Sequence, residues 1–200
     1  ELGIQTLALV DIHRTSGVYD FVQACQRLGI KPVVGMEFRT GDTLQYTCIA
    51  RNPNGFARIN HFATRHLSKE LPWPERPPVW EEVWTLYPFA MRKKISELGP
   101  YERFGVQAKD LKQLWQEKDL SKFVWAQPVT FLDNKGFSMH RLLRAIDHNC
   151  LLSKLPTSAQ ADKSEFFWTT AQTKSFLKDF PELLEASEKM LEDCYFAFEF

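Results

Sequence analysis

Leu2-Gly-Ile-Gln-Thr-Leu-Ala-Leu-Val-Asp11 and Leu28-Gly-Ile-Lys-Pro-Val-Val-Gly-Met-Glu37 share one pattern at an offset of 26 residues: a helix-ending glycine, an apolar run, then a carboxylate. Between them Val18, Phe21, Val22, Cys25 and Leu28 fall at helical spacing, with Ser16 placed to cap the start and Gly29 to end it. The pair therefore predicts a β-α-β unit. Leu7–Val10 and Pro32–Met36 are apolar at nearly every position, as strands of a parallel sheet covered on both faces are. Asp11 and Glu37 are then expected at the carboxyl ends of neighbouring parallel strands, the end at which α/β sheets keep their sites.

Outward from this unit the chain continues as alternating strands and helices. Thr43–Ala50 alternates as a strand, and Asn52-Pro-Asn-Gly55 turns into a helix carrying Phe56, Ile59, Phe62, Ala63 and Leu67. Leu71-Pro-Trp-Pro-Glu-Arg-Pro-Pro78, with four prolines in eight residues, is an extended excursion, and Trp73, Trp80 and Trp84 cluster around it as a rim cover or a contact for a partner. Strands are predicted at Val83–Tyr87, Tyr101–Val106 and Lys122–Val129, and helices at Phe89–Leu98 and at Ala108–Glu117, the latter with Leu111, Leu114 and Trp115 inward. Met139, Leu142, Leu143, Ile146 and Cys150 share a face in a long helix from Phe137 to Leu152. A polar connection over 156–163 separates a body of 1–155 from a helical segment of 156–200, in which Thr169 or Thr170 caps one helix and Pro181 opens the last. The Leu-Gly-Ile opening implies a helix before residue 1, and Tyr195-Phe-Ala-Phe-Glu-Phe200 alternates like a strand without a partner. The chain is expected to be a segment of a longer protein.

Composition narrows the function. The 200 residues carry 25 basic and 25 acidic side chains, so no face is built mainly to neutralise phosphates. A hydrophobic fraction of 44% with 16 Phe and 6 Trp suffices for one substantial core. There is no membrane-length apolar stretch and no signal-peptide layout at the start, so a soluble cytoplasmic location is expected. Cys25, Cys48, Cys150 and Cys194 are widely spaced and read as reduced core residues. The phosphate-loop, dinucleotide-binding and nucleophile-elbow signatures are absent.

Asp11, His13 and Glu37 form the one constellation suited to a divalent ion, since carboxylate and imidazole together serve zinc, manganese or iron. The competing assignment has Asp11 capping a loop, His13 facing solvent and Glu37 paired with a Lys or Arg. His61 and His66 are five apart and do not share a helix face, and His140 and His148 have no acidic neighbour at ligand spacing, so none of the four is given a site.

Several phrases together resemble the N-terminal PHP (polymerase and histidinol phosphatase) domain of bacterial DNA polymerase III α subunits. They are Leu7-Ala-Leu-Val-Asp-Ile-His-Arg-Thr-Ser-Gly17, Gly29-Ile-Lys-Pro-Val-Val-Gly-Met-Glu-Phe38 and Ile49-Ala-Arg-Asn-Pro-Asn-Gly55. Phe166-Phe-Trp-Thr-Thr-Ala-Gln-Thr-Lys-Ser-Phe-Leu-Lys-Asp-Phe-Pro-Glu182, with the helix ending at Asp193-Cys194, is similar to the segment joining that domain to the polymerase module. The resemblance implies a distorted (β/α)7 barrel, its first strand missing here, followed by a C-terminal helical connection. Metal-competent members hold a trinuclear Zn, Mn or Fe cluster and hydrolyse phosphoesters. Carried over position by position, Glu37 matches a ligand, with Asp11 and His13 as weaker candidates, but Ile12 stands where the Asp-His pair has its ligand His. In the late strand Gln127-Pro-Val-Thr130 puts Pro128 and Thr130 in place of two more ligands. The cluster is expected to be lost, leaving a non-catalytic scaffold and docking domain with no cofactor of its own and no catalytic residue; the alternative is an active metal-dependent phosphoesterase. By resemblance the parent is a DNA-directed DNA polymerase, a nucleotidyltransferase of DNA replication that uses Mg²⁺ in its polymerase module. Its partners are that module, DNA and other replisome subunits, among them a proofreading exonuclease; no membrane is involved.

Overall fold

In the computed structural model, which describes residues 3–198, the sheet has six strands in sequential order. They are β1 (Thr6–Ile12), β2 (Lys31–Thr40), β3 (Thr43–Ala50), β4 (Val83–Pro88), β5 (Glu102–Val106) and β6 (Phe123–Trp125). β1 and β2 pair in parallel through α1 (Val18–Leu28), confirming the β-α-β unit. β3 runs antiparallel to both neighbours, while β4, β5 and β6 are again parallel. The result is a mixed α/β fold around one curled sheet, about half of a barrel in outline. α2 (Pro53–Ser68), α3 (Leu111–Leu114), α4 (Asn134–Asp147), α5 (Thr170–Phe176) and α6 (Pro181–Glu192) complete it.

Alternation along the strands sends side chains to two cores. On one face Val34, Met36, Phe38, Tyr46, Cys48 and Phe104 pack with Val18 and Val22 of α1 and Ile59 and Phe62 of α2. On the other, Val33, Ile49, Trp84, Leu86 and Val124 meet Met190 of α6 and Cys194 just beyond it. Cys25, Cys48, Cys150 and Cys194 are all free thiols, and only Cys150 is not buried. Trp73 and Trp80 pack against the first core around Phe62, whereas Trp84 belongs to the second. Trp73 and Trp80 are therefore partly buried covers of the first core, and Trp84 is a core residue.

Caps set the helix ends. Gly29 closes α1 in the left-handed conformation, φ 66°. Asn52 accepts the Gly55 N–H to open α2, Thr169 and Gln172 form a capping box on α5, and Pro181 sits in the first turn of α6. At α1, Gly17 rather than Ser16 occupies the cap position, with no side-chain cap bond.

Other expectations shorten. The Phe89–Leu98 helix is a 3-10 turn over Phe89–Lys93, and beyond it the Glu102 carboxylate takes the Gly99 N–H at 2.7 Å. Ala108–Glu117 reduces to a 3-10 turn and the single turn of α3, leaving Trp115 exposed at 67% and edge-on to Phe180 at 4.7 Å. β6 stops at Trp125: the Gln127 side chain accepts from Ala108 N and donates to Ser164 O, drawing the chain off the ladder before Pro128. α4 ends at Asp147, not Leu152, and Met139, Leu143 and Ile146 are exposed. Its polar face turns inward instead: His140 Nε2 accepts the Ala161 N–H at 2.9 Å, Arg141 donates to Gln160 and Arg144 to the Ala159 carbonyl. Residues 195–198 form no strand; Tyr195 N donates to Arg51 O, and the last two residues of the expected strand lie outside those described.

Candidate functional site

The sheet register decides which candidate residues meet. Thr6 lies opposite Lys31, an offset of 25, so the cross-strand partner of Glu37 is Ile12 and that of Asp11 is Met36. The repeat in the sequence has an offset of 26, and a slip of one residue sends a side chain to the opposite face. Asp11 accordingly points to the α1 side, where a Cβ on Gly17 would come within 3.2 Å of its Oδ2, while Glu37 lies on the same face as Val33 and Gly35. The register thus places Asp11 and Glu37 on opposite faces of the sheet, with the Asp11 charge still acting on the Glu37 carboxyl. Glu37 also stands within β2 rather than at its end, because the strand runs on to Thr40 and turns into β3 at Gly41.

Glu37 is held by a cation of the protein itself. Arg39, two residues on, donates from Nε to Oε2 at 2.8 Å and places Nη2 2.7 Å from the same oxygen. The Glu37 side chain is 13% exposed. Burial pushes its carboxyl above the ordinary range, the Arg39 guanidinium opposes the rise, and the negative charges of Glu165 and Asp11 add to it. His13 follows with a positive φ of 56°, its N–H on the Glu37 carbonyl at 3.0 Å. Its Nε2 accepts the Arg39 backbone N–H at 2.8 Å and its ring lies against Trp73 at 4.9 Å. Burial lowers its pKa. A nitrogen committed to a backbone N–H has no lone pair left for a metal.

Arg39 and Glu165 are the residues that sequence reasoning missed. Arg39 had a signal, since i and i+2 share a strand face. Glu165 had none: it arrives from a loop, accepts a hydrogen bond from Thr130 and its main-chain carbonyl takes the Thr130 and Phe131 N–H groups. Pro128 and Thr130 offer no imidazole or carboxylate to the same end of the sheet. Among the described residues no three His, Cys, Asp or Glu side chains come together in a way that could hold a metal ion. The donor set does not fit the trinuclear cluster: the position facing Glu37 is an isoleucine and the carboxylate carries a guanidinium. His61 is exposed, His66 stacks on Trp73, His140 ties α4 to Ala161 and His148 lies 2.9 Å from Arg144 of the same helix, so none of these adds a ligand.

Residues 1–99 match the model of the PHP domain family. The relatives it resembles are DNA polymerase III α subunits. That of Halalkalibacterium halodurans is 22% identical over 228 residues, covering 94% of this chain and 20% of the relative. That of Streptococcus pyogenes is 22% identical over 206 residues, covering all of this chain and 19% of the relative. The chain thus spans about a fifth of the length of these curated relatives. No helix among the described residues is long and apolar enough to cross a membrane.

Proposed function

We propose that this chain is the PHP domain of a DNA polymerase III α-type subunit and that it acts as a scaffold and docking domain, without phosphoesterase chemistry of its own. The observation that carries this reading is the pairing of Glu37 with Arg39 opposite Ile12, which gives the one matching ligand of the family site a built-in guanidinium counter-ion. An ion pair of this geometry offsets the charge of the carboxylate and occupies its Oε2. A divalent ion would have to displace it and find further ligands where isoleucine, proline and threonine stand.

The same reading takes the sheet as part of a distorted (β/α)7 barrel, with 1–155 as the barrel and 156–200 as the connection toward a polymerase module. DNA synthesis, the Mg²⁺ it uses, a cytoplasmic location, and contacts with DNA, replisome subunits or a proofreading exonuclease are then properties of the parent protein. The test is elemental analysis of the purified full-length parent together with a phosphoesterase assay on p-nitrophenyl phosphate. The expected result is no stoichiometric zinc, manganese or iron at this domain and no hydrolysis traceable to Glu37. Stoichiometric metal, removable together with a phosphoesterase activity that Glu37→Gln abolishes, overturns the scaffold reading in favour of an active phosphoesterase.

A further inference from the structure

A cleft of about 440 Å³ opens between the last turns of α2 and the proline-rich segment Leu71–Pro78, within the roughly 300–1,000 Å³ of small-ligand sites. Its floor and walls include Phe62, Leu71 and Pro74. Its ionisable lining groups are Arg65, His66 and Arg76, and no carboxylate lines it among the described residues. Two of these groups are already used. Arg76 is ion-paired to Glu102 and also donates to Tyr87 Oη at 3.3 Å, and His66 Nδ1 lies 2.9 Å from the Pro72 carbonyl with its ring stacked on Trp73 at 5.1 Å. These contacts fix the proline-rich segment at both ends, so the cleft is formed before anything enters it and little ordering is left to oppose binding.

Arg65 is the exception. It has no hydrogen bond or ion pair among the described residues, whereas Arg39, Arg51, Arg58, Arg76, Arg92 and Arg144 are all ion-paired. A free guanidinium beside an apolar floor fits a ligand with a carboxylate next to an apolar group. The spacing narrows this further. Arg65 and Phe62 are one turn apart on α2, about 5–6 Å between their Cβ atoms. A chain-terminal residue carries its carboxylate and its side chain on one carbon, the shortest such link a peptide offers, whereas an internal Asp or Glu and the side chain of its neighbour are joined through a longer run of bonds. Leu71 at the mouth is 41% exposed, which leaves one side open for a preceding backbone.

We propose that this cleft captures the free carboxyl terminus of a partner polypeptide whose last residue is apolar, the carboxylate on Arg65 and the side chain on Phe62, Leu71 and Pro74. The test titrates the 200-residue chain with acetyl-Gly-Gly-Phe as free acid, with its C-terminal amide, and with acetyl-Glu-Phe amide, followed by calorimetry and by NMR shifts of the Leu71 methyls. The free acid should bind in the millimolar range or tighter, the amide at least about tenfold more weakly, and Arg65→Ala should lose about the same factor. Arg65→Lys should recover part of it, and Arg14→Ala, at the other unpaired exposed arginine, should leave binding unchanged. Because Arg65 is exposed and unpaired, Arg65→Ala should melt as the unaltered chain does. Equal binding of acid and amide, preference for the internal glutamate, indifference to Arg65→Ala, or no Leu71 shifts with millimolar free acid each overturns the proposal.

Discussion

Arg39 touches Glu37 through two nitrogens on one oxygen, and its backbone N–H is spent on His13, so a single residue ties the carboxylate and the imidazole together. Arg39→Ala leaves a mostly buried carboxylate with no partner, a loss of about 1–3 kcal/mol in chemical denaturation. Adding Glu37→Gln to Arg39→Ala should cost less than the two single changes summed, since the second removes the charge that the first orphans. The neighbouring Gly35 has a different constraint: a Cβ there would overlap the Cys48 carbonyl oxygen on β3 and stand 3.1 Å from Ile49 Cα. Gly35→Ala should therefore lower the melting temperature of the chain by forcing β2 and β3 apart. At this scale the pairing of Glu37 with a basic residue was legible, because Arg39 lies two positions along the same strand. The placement of Asp11 and Glu37 on opposite faces was not, because it follows from a pairing offset of 25 where the repeat in the sequence has 26.

The elements that were legible are those whose ends carry their own chemistry. Asn52, the Thr169–Gln172 box and Pro181 mark α2, α5 and α6 by hydrogen bonds or a fixed φ, independent of the rest of the molecule. α3 and β6 were overestimated because distant partners curtail them: the Gln127 side chain, which bridges to Ala108 and Ser164, has no expression in local periodicity. The apolar stripe of α4 misled differently, since spacing identifies a face and says nothing about what covers it. The parallel strands were sound, and they support a sharp test. Val33 is 1% exposed and Leu9 packs on the first core, so Val33→Asp or Leu9→Asp places an unpaired charge in a strand and should abolish cooperative folding. Soluble mutants with cooperative melts would refute the strand assignment. Thr169→Ala, by comparison, removes only a cap and should cost about 1 kcal/mol.

Over the whole molecule, α6 and the residues after it are fastened to the sheet by charge as well as by packing. Lys31 Nζ donates to the carbonyls of Leu191 and Glu192 at 2.9 Å, and Arg51 pairs with Asp193 at 2.6 Å while lying over the Tyr101 ring. Hydrogen bonding to Arg51 holds the Asp193 carboxyl below the ordinary aspartate range. A carboxyl depressed on folding contributes stability above its unfolded value, about 3.9, and loses that contribution as pH falls through the lower folded value. The difference in melting temperature between the unaltered chain and Asp193→Asn should thus be full near neutral pH and shrink on acidification below about pH 4. A gap that persists or widens in acid would show that Asp193 acts through packing. The equal numbers of acidic and basic residues, which first spoke against phosphate binding, are consistent with this use of charge inside the molecule.

The inward-turned polar face of α4 also has a kinetic consequence. The helix rests on hydrogen bonds from His140, Arg141 and Arg144 and on a small cluster of Ala145, Leu155 and Ala159, separate from the two sheet cores. Opening it exposes little new apolar surface, so its amides should exchange with solvent far sooner than those of α2, although both are regular helices of similar length.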